Sequence, residues 1–113
     1  MSYSKFDRPS AQRRALLRAL VTSLLDKERI VTTHAKAKEA QALAEKMITL
    51  AKEDSLAARR RALSFLTSET VAKKLFDTLG PRYAHRTGGY SRVILLGSRR
   101  GDGAPMAMVE LIR

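Results

Sequence analysis

The chain has 113 residues, the size of one domain, and at that length roughly two thirds of the unfolded surface can be buried without staples. It has no cysteine, which excludes a disulfide framework and cysteine-ligated zinc. Lys and Arg number 22 against 11 Asp and Glu, a net charge of +11, and this predicts a polyanionic partner, nucleic acid ahead of an acidic membrane surface.

Residues 1–9 are polar, end in Pro9 and carry Lys5 and Arg8 together with Asp7. They read as a basic N-terminal arm before a single globular domain, 10–113. The opening has no apolar signal-peptide core, and the longest apolar runs are too short to span a membrane. Ser10 is a suitable N-cap for a first helix, "AQRRALLRALVTSLLDK". Leu16, Leu20 and Leu24 recur at i+4, with Leu17 and Val21 widening the stripe, while Arg14, Arg18 and Thr22 take the opposite side. "RIVTT" (29–33) is β-branched and short, hence a strand. Thr33 is then read as the cap of a second helix, 34–52, where Ala40, Leu43, Ala44, Met47, Ile48 and Ala51 follow the helical template.

Asp54 or Ser55 starts a third helix whose expected buried side is Leu56, Leu63 and Leu66. Its consecutive Arg59, Arg60 and Arg61 fan around the axis and cannot all face one partner. A fourth helix follows "TS" (67–68), with Val71, Leu75, Phe76 and Leu79 on one face and Gly80–Pro81 as its stop signal. Two strands close the chain, about 90–96 and 106–112. In the first, Tyr90, Arg92, Ile94 and Leu96 point one way, and Ser91, Val93 and Leu95 the other. In the second, Ala107, Val109 and Leu111 alternate with Met106, Met108, Glu110 and Ile112. The order is α-β-α-α-α-β-β, and the expected fold is a two-layer α+β domain with helices covering one face of a small three-stranded sheet.

Catalytic and metal chemistry find no constellation here. The two histidines, His34 and His85, lie far apart with no carboxylate at ligand spacing, and no glycine loop precedes a helix in a nucleotide-binding pattern. Nothing makes a nucleophile–base pair. No enzyme, no cofactor, no metal and no small-molecule substrate are expected. "RGD" (100–102) matches a cell-adhesion tripeptide, but three residues are a weak signal.

The excess charge is uneven. Residues 1–29 hold seven Lys/Arg against three Asp/Glu, residues 80–103 five against one, and the middle, 30–79, nine against six. "GSRRGDGAP" (97–105) reads as a long loop between the last two strands. Arg99 and Arg100 supply forks that match phosphate geometry, while Gly101 and Gly103 let backbone N–H groups approach phosphate oxygens. Asp102 either pins one of the arginines or caps the loop. Tyr90, in "RTGGYSR", has two readings, a platform stacked on a base or a filler of the sheet face.

The blocks "ERIVTT", "AEKMITLAK", "GGYSR" and "RRGDGAPMA", in this order and spread over nearly the whole chain, resemble the bacterial large-subunit ribosomal protein L17 family. The resemblance implies a small α/β protein of the same element order and no enzymatic activity. It also implies binding to large-subunit ribosomal RNA near the exit of the nascent-peptide tunnel, beside other ribosomal proteins, hence a cytoplasmic, ribosome-bound location. By the matching blocks it implies RNA contact by Arg8, Arg13, Arg14 and Arg18, by Lys36 and Lys38, and by Arg92, Arg99 and Arg100. The chain departs from the family's usual start, with Ser2, Tyr3 and Ser4 replacing most of a denser basic arm and Asp7 standing where glycine is common. The alternative is a free-standing nucleoid-type protein, for which no helix-turn-helix signature is present. A membrane-surface protein would carry large apolar residues opposite lysines, and aromatics make up only 5% of this chain.

Overall fold

The computed structural model describes residues 10–113. In chain order it comprises α1 (Ser10–Lys27), β1 (Arg29–Thr33), α2 (His34–Glu53), α3 (Leu56–Phe65), α4 (Glu69–Lys74), β2 (Ser91–Ser98) and β3 (Pro105–Leu111). α4 runs on without a break through a π-helical turn, Leu75–Leu79, and a last turn, Gly80–Arg82. The sheet is antiparallel with strand order β1-β3-β2. The α+β fold and its element order are those expected from the sequence.

The core lies between the sheet and the helices. α2 contributes Ala37, Ala40, Ala44, Met47, Ile48 and Ala51, and its many alanines let neighbouring elements approach closely. α1 adds Val21, Leu24 and Leu25, and β3 adds Ala107, Val109 and Leu111, the period-2 face read from the sequence. The other sheet face has no helix on it. In the register Val31↔Met108↔Ile94 it presents Val31 and Ile94 to solvent.

Several local expectations are corrected. On α3, Leu56 and Leu63 are exposed (65% and 50%), and the buried side is Ala58 and Ala62, followed by Leu66. The small side chains, four apart, bring α3 against α2, so the larger leucines are left outside. Ser55 does cap this helix, its Oγ accepting from the Ala58 N–H at 3.0 Å. Thr33 holds the N-cap position of α2 but makes no side-chain capping bond. The Arg14–Arg18–Thr22 side of α1 is open to solvent only at Arg14. Thr22 is buried, and its Oγ1 accepts from the Thr67 N–H at 3.1 Å at the α3–α4 junction.

Gly80–Pro81 does not stop the fourth helix. Gly80 is right-handed helical (φ −55°), and its N–H bonds back to the Leu75 carbonyl, an i→i−5 bond. The wider turn accommodates Pro81, which has no N–H and would crowd the carbonyl four residues earlier in a regular helix. Glycine is needed for space rather than for conformation: a Cβ there would stand 3.0 Å from the Ala51 carbonyl oxygen of α2. β2 keeps its alternation as far as Ile94. Beyond it Leu95 and Leu96 are both exposed, because the hairpin extends past the helices and a bulge shifts the register between Leu95 and Gly97.

Gly80→Ala is expected to destabilise the fold by about 1–3 kcal/mol through overpacking against α2. Thermal unfolding checks this, and a melting temperature equal to wild type would refute the close-contact explanation.

Candidate nucleic-acid interface

The loop expected over residues 97–105 is shorter than the sequence suggests. Gly97 and Ser98 still pair with Met106 and Pro105. The Arg99 N–H then bonds the Ala104 carbonyl at 2.7 Å, and the Gly103 N–H bonds the Arg99 carbonyl at 3.0 Å. Only the tip, 100–103, is free of the ladder. Gly101 (φ +94°) and Gly103 (φ +71°) hold left-handed conformations that a side chain would strain. Asp102 does both things the sequence left open. Its carboxylate takes two bonds from the Arg99 guanidinium, one of them 3.1 Å from Nε, and its Oδ1 caps the tip by accepting from the Ala104 N–H at 3.1 Å. Arg99 beside it holds the Asp102 carboxyl well below the usual range, so the pair stays ionised. Arg99 is thereby fixed in direction, and Arg100 is exposed at the tip beside it.

Two further groups of cations come to the same end of the molecule. β1 ends at Thr33, opposite Met106 at the hairpin base, and α2 starts directly after it. Lys36 and Lys38 therefore lie on the first turns of α2 next to the hairpin, Lys38 exposed and Lys36 half-buried. No acidic residue occupies the first turn of α2 or of α1. The start of α1 is held alongside by Arg13, whose Nη2 is 3.6 Å from Glu39 of α2. Arg14 is exposed on the same turn. So Arg13, Arg14, Lys36, Lys38, Arg99 and Arg100 gather at one end against Glu39 and Asp102.

The remaining candidates separate from this group. Arg18 is half-buried, with Nε donating to the Phe65 carbonyl at 2.6 Å and Nη2 to the Ser64 carbonyl at 3.3 Å. It satisfies the open carbonyls at the end of α3, where a cation also suits the helix dipole. Tyr90 is 2% exposed, which corrects the base-stacking reading. Its ring lies 5.2 Å from that of Tyr83, and its hydroxyl accepts from Lys52 Nζ at 2.9 Å. The next residue, Ser91, is tied to α2 by Glu45, whose Oε2 accepts from the Ser91 N–H at 3.2 Å and from its hydroxyl at 2.7 Å. Arg92 sits at the other end of the sheet, its Nε 2.7 Å from Glu110. Lys5 and Arg8 lie outside the described residues.

An ion cluster at that far end was not foreseen. Glu28 makes the α1–β1 turn in a left-handed conformation (φ 67°). Its carboxylate meets Arg82 at 2.6 Å, Lys74 at 3.0 Å and Arg113 at 3.6 Å, and its side chain is only 11% exposed. The Arg82 hydrogen bonds lower its carboxyl from 4.5 to about 2, against a smaller opposing effect of burial. A glutamate after "LLDK" carries no signal of this role, because its partners are 46 to 85 residues away in sequence.

Among the described residues no cluster of His, Cys, Asp or Glu could hold a metal, and no helix is long and apolar enough to cross a membrane. The features together define a class: a small, strongly basic α+β domain whose cations are sorted by topology to the ends of a sheet. Residues 16–112 match the ribosomal protein L17 family. The "Large ribosomal subunit protein bL17" of Caldanaerobacter subterraneus subsp. tengcongensis is 60% identical over 99% of this chain and 100% of that protein. Those of Natranaerobius thermophilus (58%, 99% of each chain) and Clostridium acetobutylicum (57%, 97% of this chain and 96% of that one) are similar at nearly full length. The chain belongs to the ribosomal protein L17 family.

The sign of the Glu28 effect follows from its lowered carboxyl. Its contribution to stability is complete above pH 4.5 and is lost as pH falls toward about 2. It amounts to about 2–3 kcal/mol. Denaturant unfolding of wild type should weaken by about that amount over this interval, and Glu28→Gln should lack that component of the pH dependence.

Proposed function

We propose that the chain is a structural constituent of the large ribosomal subunit that binds large-subunit ribosomal RNA. Its contacts are the basic arm, the start of α1, the start of α2 and the hairpin tip. The observation that carries this reading is the convergence of Arg13, Arg14, Lys36, Lys38, Arg99 and Arg100 at one end of the fold. The names of the chain's relatives supply the subunit. Lys5 and Arg8 add two cations to the sequence of residues 1–9, ahead of a single folded unit, 10–113. The family resemblance supports a location near the exit of the peptide tunnel, among neighbouring ribosomal proteins in the cytoplasm.

Binding is electrostatic and shape-based. Six cations on three elements can meet several phosphates of a folded RNA at once. About six phosphate contacts make affinity fall roughly a thousandfold between 50 and 200 mM salt. With Tyr90 inside the fold, recognition rests on RNA shape and on the spacing of phosphates, not on base stacking. The arginine forks and exposed glycines of the tip suit phosphate oxygens. Asp102, beside them, holds Arg99 in a fixed direction, which reduces the ordering cost of binding. The protein works as a scaffold and carries out no chemistry.

Arg99→Ala combined with Arg100→Ala is expected to weaken binding to a large-subunit ribosomal RNA transcript about tenfold or more and to flatten the salt dependence, without lowering the melting temperature. Filter binding across a salt series checks it. Unchanged affinity and slope would remove the hairpin from the interface.

A further inference from the structure

The far end of the sheet holds a second basic feature. β3 places Glu110 between Arg29 of β1 and Arg92 of β2 in one cross-strand row. Glu110 lies 2.7 Å from Arg92 Nε and 3.5 Å from Arg29 Nη2. One carboxylate thus turns two guanidinium groups from the flanking strands toward each other. Beside them is a concavity of about 430 Å3, lined by Lys27, Glu28, Arg29, Arg92, Glu110 and Arg113. That volume is within the range of pockets that hold small ligands, about 300–1,000 Å3.

The charge in this concavity is not balanced. Glu28 shares its carboxylate among Arg82 and Lys74, which do not line the concavity, and Arg113, which does, at 3.6 Å. Of the four cations that line the concavity, Arg29 and Arg92 pair with Glu110 and Arg113 with Glu28, while Lys27 pairs with neither carboxylate. All four cations remain largely exposed, with side-chain exposures of 70%, 65%, 62% and 79%. Lys27 has a single weak partner among the described residues, its neighbour Asp26 at 3.9 Å. Surface pairs of this kind contribute little to stability, so the fold gives no structural reason for four cations around Glu110 and the already engaged Glu28. A phosphodiester does: it brings negative charge, and the two forks are already oriented by Glu110.

We propose that this concavity is a second phosphate-binding site for the same RNA, built by Lys27, Arg29 and Arg92 with Arg113 at the rim. It rests on the RNA-binding reading above and extends it. Residues 92 to 98 of β2 span about 20 Å, so the two sites are too far apart for one phosphate and its neighbour. The sheet acts as a rigid spacer between two backbone contacts. A folded RNA that presents phosphates at this spacing fits, and a short single strand does not engage both ends. Arg92 therefore serves this site and not the hairpin's.

The test compares three full-length proteins on a large-subunit ribosomal RNA transcript by filter binding from 50 to 200 mM salt: wild type, Lys27→Gln/Arg29→Gln, and Arg99→Ala/Arg100→Ala. The proposal expects the Lys27/Arg29 variant to lose about tenfold in affinity, with a salt slope shallower by about 1–2 units. Arg29→Lys in place of Arg29→Gln, with Lys27→Gln kept, should restore about half of that change in slope. Thermal unfolding verifies that the variants are folded. Should the double variant not fold, Lys27→Gln alone, on an exposed side chain, should still flatten the slope by nearly one unit. Wild-type affinity and slope in the Lys27/Arg29 variant, with weakening confined to the hairpin variant, would overturn the second site and leave the RNA reading intact. Failure of wild type itself to bind the transcript would overturn both.

Discussion

Glu28 is the point at which the fold is closed. A left-handed conformation at a residue with a side chain costs about 1–2 kcal/mol, and glycine would avoid it. The carboxylate is what glycine lacks. From this one position it holds Arg82 at the end of the fourth helix, Lys74 about two turns earlier, before the π-helical turn, and Arg113 after the last strand. Its own carbonyl accepts from the Leu111 N–H at 2.9 Å, and Lys74 Nζ reaches the Asp26 carbonyl at 2.6 Å. The α1–β1 turn, the fourth helix and the end of β3 are thereby locked together. Glu28, Arg82 and Lys74 are close and mostly shielded from water, so the loss of one would leave the others uncompensated, whereas Arg113 stays exposed.

That closure fixes the direction of the basic groups at both ends of the sheet. With the turn after α1 pinned, α1 runs back along α2 and its start meets the start of α2 at the hairpin end. The same pinning leaves Lys27 and Arg29 at the opposite end, beside Arg92. Cations scattered along the sequence are thus sorted into two groups separated by the length of the sheet. Carboxylates within each group, Asp102 and Glu110, orient arginines without neutralising the surface.

Arginine is used here for two different purposes, and the sequence does not separate them. Arg14 and Arg18 share one helical stripe. Yet Arg14 is exposed at the hairpin end, while Arg18 closes the carbonyl end of α3. "GGYSR" reads as an RNA-facing segment, but Tyr90 and Ser91 are fastened to Lys52 and Glu45 of α2, and of its side chains Arg92 alone is outside. The leucines of α3 gave a similar false signal. Hydrophobicity alone marks Leu56 and Leu63 for the core, whereas close helix packing selects Ala58 and Ala62.

The sequence by itself determined the class of fold, the order of its elements, the alternating core face of β3, the helical core face of α2, the basic character of the surface and the family. These follow from periodicity, composition and contiguous motifs, all of which are local along the chain. Only the tertiary structure decided which cations are structural, where each group of them gathers, that the fourth helix passes through Gly80–Pro81, and that Glu28 joins three distant parts of the chain. Those outcomes depend on contacts between residues tens of positions apart. Their free energies are set by distance, burial and the direction of approach, and none of these is a property of a short stretch of sequence.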